Sequence, residues 1–161
     1  MILKTFLLIV CTVLGGVVGW LISQRTIRKR KYFEQLVYLL NAISCDIKFR
    51  QPQLLYLLDE STPKTSVLRT NVDEFISYAN GKSTELALSK QDLNEREYAF
   101  IKELFSTLGR YDLATQIEML SVLRDKAAEF YDVAQREEKT KSVPARKLGL
   151  LVGLLFGIIL M

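Results

Sequence analysis

The 161-residue sequence contains no histidine, and it has only two cysteines and three prolines. The lack of histidine excludes Ser-His-Asp triads, histidine general bases and zinc–histidine sites. No GxxxxGK[ST] stretch occurs, so a P-loop nucleotide site is excluded as well. The two cysteines, Cys11 and Cys45, fall in segments of different character, and we predict that they form no disulfide.

Charge is missing from both ends of the chain. Residues 5–24 form an uncharged run of 20, residues 148–161 form another of 14, and all acidic residues lie between Glu34 and Glu138. A helix of 20 residues is about 30 Å long, which matches the hydrocarbon core of a bilayer. We therefore predict an N-terminal transmembrane helix at residues 5–24 and a C-terminal one at residues 148–161.

Each apolar segment has an alternative interpretation. The first would be a cleaved signal peptide, but its positive region is thin and no small-x-small cleavage site follows Trp20. The second is about 21 Å long as a helix, so it would also suit an apolar tail buried in the domain. We favour membrane insertion of the second because basic residues precede it and it is apolar on every face.

Six of the eight glycines lie in these two segments. Residues four apart share a helix face, so the GxxxG spacings predict smooth faces on which helices pack closely, either on each other or on neighbours. The alternative is that glycine is simply more frequent in membrane helices. The candidate packing residues are Gly15, Gly19, Gly149, Gly153 and Gly157.

Nine basic residues flank the middle region, and only Lys4 lies outside it. By the positive-inside rule we predict that the middle is cytoplasmic and that both termini lie across the membrane. The middle itself is acidic, with 12 Lys and Arg against 18 Asp and Glu. Nucleic acid binding is not expected, while anionic lipid head groups suit the flanks. The flanking residues are Arg25, Arg28, Lys29, Arg30, Lys31, Lys139, Lys141, Arg146 and Lys147.

The cytoplasmic domain, residues 25–147, is predicted to be all-α because apolar residues recur at three- and four-residue steps without period-two alternation. Its short turns predict an antiparallel bundle of about six helices between the two transmembrane helices. The predicted helices span approximately residues 28–49, 53–58, 63–78, 83–88, 96–108 and 113–139.

Local signals place several helix ends. Thr62 and Pro63 suit the N-cap and first position of the third helix, and Asn80–Gly81 is a stop signal. Asp92 and Glu95 have the spacing of a capping box. The adjacent carboxylates, such as Glu137–Glu138, point to different helix faces or lie near helix ends and are expected to be solvated. No enzyme activity, metal or cofactor is expected.

The stretch "LFSTLGRYDLATQ" at residues 104–116 contains a helix-ending turn formed by Leu108, Gly109, Arg110, Tyr111 and Asp112. Gly109 suits the left-handed conformation and Asp112 an N-cap, while Arg110 either contacts a partner or lies near helix-end carbonyls. The stretch resembles the late turn of the stage III sporulation protein AB family. The order of apolar and basic segments along all 161 residues is similar to that family as well.

The resemblance implies a structural component of the complex that joins mother cell and forespore in endospore-forming bacteria. The family's domain is similar to the cytoplasmic domains of F-type platform proteins, which engage a cytoplasmic ATPase in type II secretion and type IV pili. It thus implies docking of a secretion-type ATPase in the mother-cell cytoplasm, alongside other membrane components of the channel. A homo-oligomer stays open, and the alternative function is a membrane-bound sensor or regulator without an ATPase partner.

Overall fold

The computed structural model describes residues 2–50, 54–90, 92–109 and 113–159, without the side chains of residues 2–8, 11, 46–50, 113, 143, 146, 150 and 157. The described residues form helices and no strand, which confirms the all-α prediction. Six α-helices and one π-helical turn follow each other along this part of the chain. They are α1 (Ile2–Arg50), α2 (Leu54–Ser61), α3 (Arg69–Ala79), α4 (Glu95–Thr107), α5 (Leu113–Glu137), the π-helical turn (Glu138–Ser142) and α6 (Val143–Ile159).

The chain divides into two compact units. One unit combines Met1–Arg30 with Val133–Met161, and we call its described residues the helix pair. The other unit is Lys31–Asp132, which we call the bundle. Among the described residues, no helix has both the length and the mean hydropathy that a membrane crossing requires. The two transmembrane helices therefore stay a prediction.

The bundle has an aliphatic and aromatic core to which all of its helices contribute. Phe33 of α1 stacks on Phe130 of α5 with 5.4 Å between ring centroids, and Phe100 of α4 lies 5.1 Å from the same ring. Phe33, Leu36, Leu40 and Ile43 are fully buried and recur at three- and four-residue steps, the pattern on which the all-α prediction is based.

Helix α3 begins later than predicted. Thr62 and Pro63 do not cap it, because residues 62–68 form turns and the helix starts at Arg69 after Leu68. Gln35 of α1 stabilises these turns, since its side-chain oxygen accepts hydrogen bonds from the Ser66 hydroxyl at 2.6 Å and from the Leu68 amide at 3.4 Å. A partner 31 residues away thus replaces the local cap that the sequence suggested.

The predicted helix at residues 83–88 is wrong, because this segment is irregular. Asn71, which is fully buried on α3, holds the segment's end by accepting from the Ser89 amide at 2.8 Å and donating to the Ser89 carbonyl at 3.2 Å. The same side chain donates to the Tyr32 hydroxyl at 2.7 Å. The bond to the Ser89 amide occupies a donor that a helix at residues 83–88 would direct to the carbonyl four residues before it. Burial raises the pKa of Tyr32 above its ordinary value.

The capping box of α4 lies two residues beyond the predicted pair of Asp92 and Glu95. Asn94 accepts from the Glu97 amide at 2.9 Å, and the Glu97 carboxylate accepts from the Asn94 amide at 2.9 Å. The predicted and the observed pair have the same three-residue spacing. Asn94 and Glu97 form the box because Glu97 is buried at this position. The two glycine stops are confirmed, since Gly81 and Gly109 have φ of 72° and 79°.

Candidate functional site

The helix pair is antiparallel. Its two helical segments, which we call legs, contact each other in opposite orders along the chain. Arg30 pairs with Glu138, Ser23 contacts Ser142, and Gly15 packs on Gly149 and Gly153. The first leg is the start of α1, and the second is formed by the end of α5, the π-helical turn and α6.

Glycines make the closest approach in the helix pair. A Cβ atom added to Gly15 would lie 2.8 Å from Cα of Gly153, and one added to Gly149 would lie 2.6 Å from the carbonyl oxygen of Gly15. Real Cβ atoms do not come this close, so a side chain at either position would clash with the opposite leg. Four of the five candidate packing glycines therefore lie together, namely Gly15, Gly19, Gly149 and Gly153. Gly157 belongs to α6, but its surroundings lie outside the described residues.

Two buried serines bridge the legs next to the glycines. The hydroxyl oxygens of Ser23 and Ser142 are 2.6 Å apart, and both side chains are buried. A buried hydroxyl without a partner is costly, and this hydrogen bond between the two legs satisfies a polar group on each of them. The pair therefore fixes which residues of the two legs face each other.

An ionic cluster joins the legs beyond the serines. Lys29 Nζ donates to Glu137 Oε2 at 2.8 Å, Lys141 Nζ donates to Glu137 Oε1 at 2.9 Å, and Arg30 Nε lies 2.5 Å from Glu138 Oε2. The hydrogen bond from Lys29, and then that from Lys141, holds the pKa of Glu137 below its ordinary value of 4.5. Because all but Lys141 are at least half-buried, the cluster is better shielded from water than a surface ion pair.

The acidic half of this cluster is the main feature that sequence reasoning missed. Glu137 and Glu138 were expected to be solvated, because on one helix adjacent residues face different directions. In the structure both carboxylates meet basic residues of α1. The signal was available in the sequence, since an acidic pair precedes one apolar segment and a basic run follows the other.

The basic flanks have more than one environment. Lys29 and Arg30 are half-buried and ion-paired, and Lys141 is ion-paired but exposed. The other flanking residues with described side chains are exposed, namely Arg25, Arg28, Lys31, Lys139 and Lys147. Arg146 lies in α6, with its side chain outside the described residues.

The family-like turn is described only in part. Leu108 is buried at the C-cap of α4, and a Cβ atom on Gly109 would lie 3.3 Å from Cδ2 of Leu54. Arg110, Tyr111 and Asp112 lie outside the described residues, so both interpretations of Arg110 and the cap by Asp112 stay predictions.

The bundle has a small cavity of about 220 Å³ between α1 and the turns that precede α3. Its rim includes Tyr38, which is 67% exposed. Thr62 in its wall has a buried hydroxyl oxygen that finds no hydrogen-bond partner among the described residues. The rest of the lining is formed by Glu34, Gln35, Ser61, Pro63, Ser66 and Leu68. A concave, mostly apolar surface with an aromatic rim and a few polar groups is typical of a binding site.

The titratable residues do not gather into a metal site within the part of the chain that the structure describes. No group of three or more cysteine, aspartate or glutamate side chains there has the geometry to hold a cation. Cys45 is an exposed thiol on α1. The candidate functional features are therefore the helix pair with its ionic cluster and the cavity of the bundle.

Comparison with known proteins gives one family match. The family described as stage III sporulation protein AB matches residues 3–161, which is nearly the whole chain. No curated protein and no solved structure matches significantly.

Replacing Gly15 by leucine is expected to open the helix pair, because the new side chain has no room against Gly149 and Gly153. Gly16→Leu is the matched control, since nothing lies within 4 Å of its added Cβ. We expect Gly15→Leu to cost about 1–3 kcal/mol, the usual penalty of overpacking. Titration of the full-length protein with SDS, followed by the fluorescence of Trp20, measures the difference. Equal losses for the two variants would contradict the close approach.

Acid is expected to weaken the ionic cluster. A carboxyl group with a lowered pKa in the folded state stabilises that state fully above its unfolded pKa, and this contribution disappears as pH falls through the folded pKa. For Glu137 the loss begins near its ordinary pKa of 4.5 and continues below it. Between pH 7 and 3 the wild type should lose about 1 kcal/mol more than Glu137→Gln in the same titration. The control Glu129→Gln, an exposed residue of α5, should behave as wild type.

Proposed function

The chain belongs to the stage III sporulation protein AB family, and from this membership we propose that it is a membrane-anchored assembly component of the complex joining mother cell and forespore. In this proposal the helix pair lies in the membrane surrounding the forespore, and the bundle docks a secretion-type ATPase in the mother-cell cytoplasm. The observation that carries the proposal is the family match over residues 3–161, together with the exposed apolar surface of the helix pair.

The exposed surface of the helix pair supports the membrane anchor. Of the 20 large hydrophobic side chains exposed in the described part of the chain, 16 lie in the uncharged ends of the sequence. An exposed apolar surface of this extent is normally covered by lipid or by another protein. Lipid suits it because charge is absent from residues 5–24 and 148–161.

The flanking charges support the orientation. Arg25, Arg28 and Lys147 are exposed beside the uncharged segments, where they suit anionic head groups of the cytoplasmic leaflet. With these residues inside, both termini lie outside the mother-cell cytoplasm, in keeping with the positive-inside rule.

Other membrane components of the complex are proposed to contact the helix pair itself. A groove of about 630 Å³ runs beside the glycine contact and has an almost entirely apolar lining that includes Leu14, Val18, Val152 and Phe156. Its apolar side chains form a surface on which a neighbouring helix, from another component or another copy, can pack.

The cavity at Tyr38 is the proposed docking point for the ATPase. Exposed tyrosines next to a concave apolar wall often dominate the binding energy of protein interfaces. The hydroxyl of Thr62 is buried and has no hydrogen-bond partner within the described part of the chain, so it gives the cavity wall a polar group that a docked protein can satisfy. The protein then acts by binding and positioning, and it contributes no catalytic group of its own.

Docking is tested with the full-length protein in lipid nanodiscs and the secretion-type ATPase of the same sporulating cell. We expect the ATPase to bind, and Tyr38→Ala to weaken binding about tenfold, as loss of one interface hot spot does. Tyr56→Ala is the matched control, because Tyr56 is 64% exposed and does not line the cavity.

The outcomes separate three cases. Binding that Tyr38→Ala weakens and Tyr56→Ala preserves supports the proposal in full. Binding that neither variant changes supports an ATPase partner but contradicts the cavity as its docking point. No binding by well-folded protein in nanodiscs contradicts the docking function and favours a regulator without an ATPase partner.

A further inference from the structure

The second leg of the helix pair changes its helical period at the π-helical turn, Glu138–Ser142. Ser142 and Gly149 are seven residues apart, so they share a face to within about 20° on an α-helix. Ala134 and Ser142 are both buried but eight residues apart, which on an uninterrupted α-helix would separate their directions by about 80°. A π-helical turn takes up one additional residue, so it returns Ser142 to the face of Ala134.

An uninterrupted helix would turn a different face toward α1. Lys141, Leu148 and Val152 would then replace Ser142, Gly149 and Gly153, because each lies one residue earlier in the chain. An ammonium group would face the buried hydroxyl of Ser23, and a leucine would face the backbone of Gly15 and Gly19. Burial of an unpaired charge and overpacking both oppose this arrangement. In the structure Leu148 is 58% exposed and Val152 is 46% exposed.

A side chain within the turn compensates for its wider backbone. The Thr140 hydroxyl donates to the Arg136 carbonyl at 2.8 Å and lies 3.4 Å from the Glu137 carbonyl. A wider turn weakens the regular backbone hydrogen bonds, and a threonine hydroxyl is well placed to satisfy a carbonyl three or four residues before it. The Lys141–Glu137 ion pair spans the same turn.

We propose that the π-helical turn is a register-setting joint of the helix pair. It absorbs one residue, so that Glu137 and Glu138 at its start, Ser142 at its end, and Gly149 and Gly153 beyond it all contact α1. Without it, one of these two sets of contacts would be lost. The joint thus makes the ionic cluster and the glycine contact compatible, and this role does not depend on the proposed partner or on the membrane.

Cysteine cross-linking tests the register directly. In a full-length Cys11→Ala, Cys45→Ala background, one variant carries Ser23→Cys with Ser142→Cys and a second carries Ser23→Cys with Lys141→Cys. Both are oxidised with copper phenanthroline under identical conditions, and intramolecular bonds are counted from the loss of free thiols in protein of monomer mass. We expect the Ser142 pair to form its disulfide at least tenfold faster than the Lys141 pair. A faster Lys141 pair, or equal rates, would overturn the proposal.

Deletion of Thr140 provides a second test that does not rely on the Lys141 substitution. Removing one residue makes the turn unnecessary, since a regular α-helix then places Ser142 on the face of Ala134. The Ser23–Ser142 cysteine pair should therefore keep its cross-linking rate within about twofold in this deletion variant. If the fastest pair instead moves to Ser23→Cys with Val143→Cys, the turn is not made by the additional residue and the proposal fails. Circular dichroism checks that each variant is folded.

Discussion

The close backbone approach of Gly15 and Gly19 to Gly149 and Gly153 is the constraint on which the helix pair depends. Helices at ordinary separation lie 8–10 Å apart, whereas glycines remove the side chains that keep them so. At this approach the hydroxyls of Ser23 and Ser142 come within hydrogen-bond distance. The carboxylates of Glu137 and Glu138 also come within reach of Lys29 and Arg30. The π-helical turn keeps both sets of contacts on one face.

The sequence predicted the parts of the fold that depend on local patterns. The buried stripe of α1, the start of α5 at Leu113 and the glycine stops at Gly81 and Gly109 all follow from periodicity and backbone preference. The errors occur where distant partners decide the structure. Asn71 binds the backbone of Ser89, directly after the segment where a helix was predicted, and Gln35 of α1 stabilises the turns where Thr62 was expected to cap.

The sequence also predicted one part of the candidate site and missed two others. The four-residue spacing of glycines predicted faces for close packing, but it left open whether the partner is the same chain or a neighbour. The ionic cluster was missed because the pairing of Glu137 depends on a residue 108 positions earlier. The π-helical turn was also missed, since one additional residue between Ala134 and Ser142 is invisible until both are known to be buried.

The two ends of one chain form one antiparallel helix pair in this structure. Trp20 and Leu148 are both exposed on the helix pair. With spin labels at these two positions, electron paramagnetic resonance on the full-length protein in nanodiscs measures the distance between the legs. We expect a short distance, about 10–20 Å for labels on adjacent helices, that is unchanged when labelled protein is diluted with an excess of unlabelled protein. A distance that disappears on dilution, or one beyond about twice that range, would contradict it.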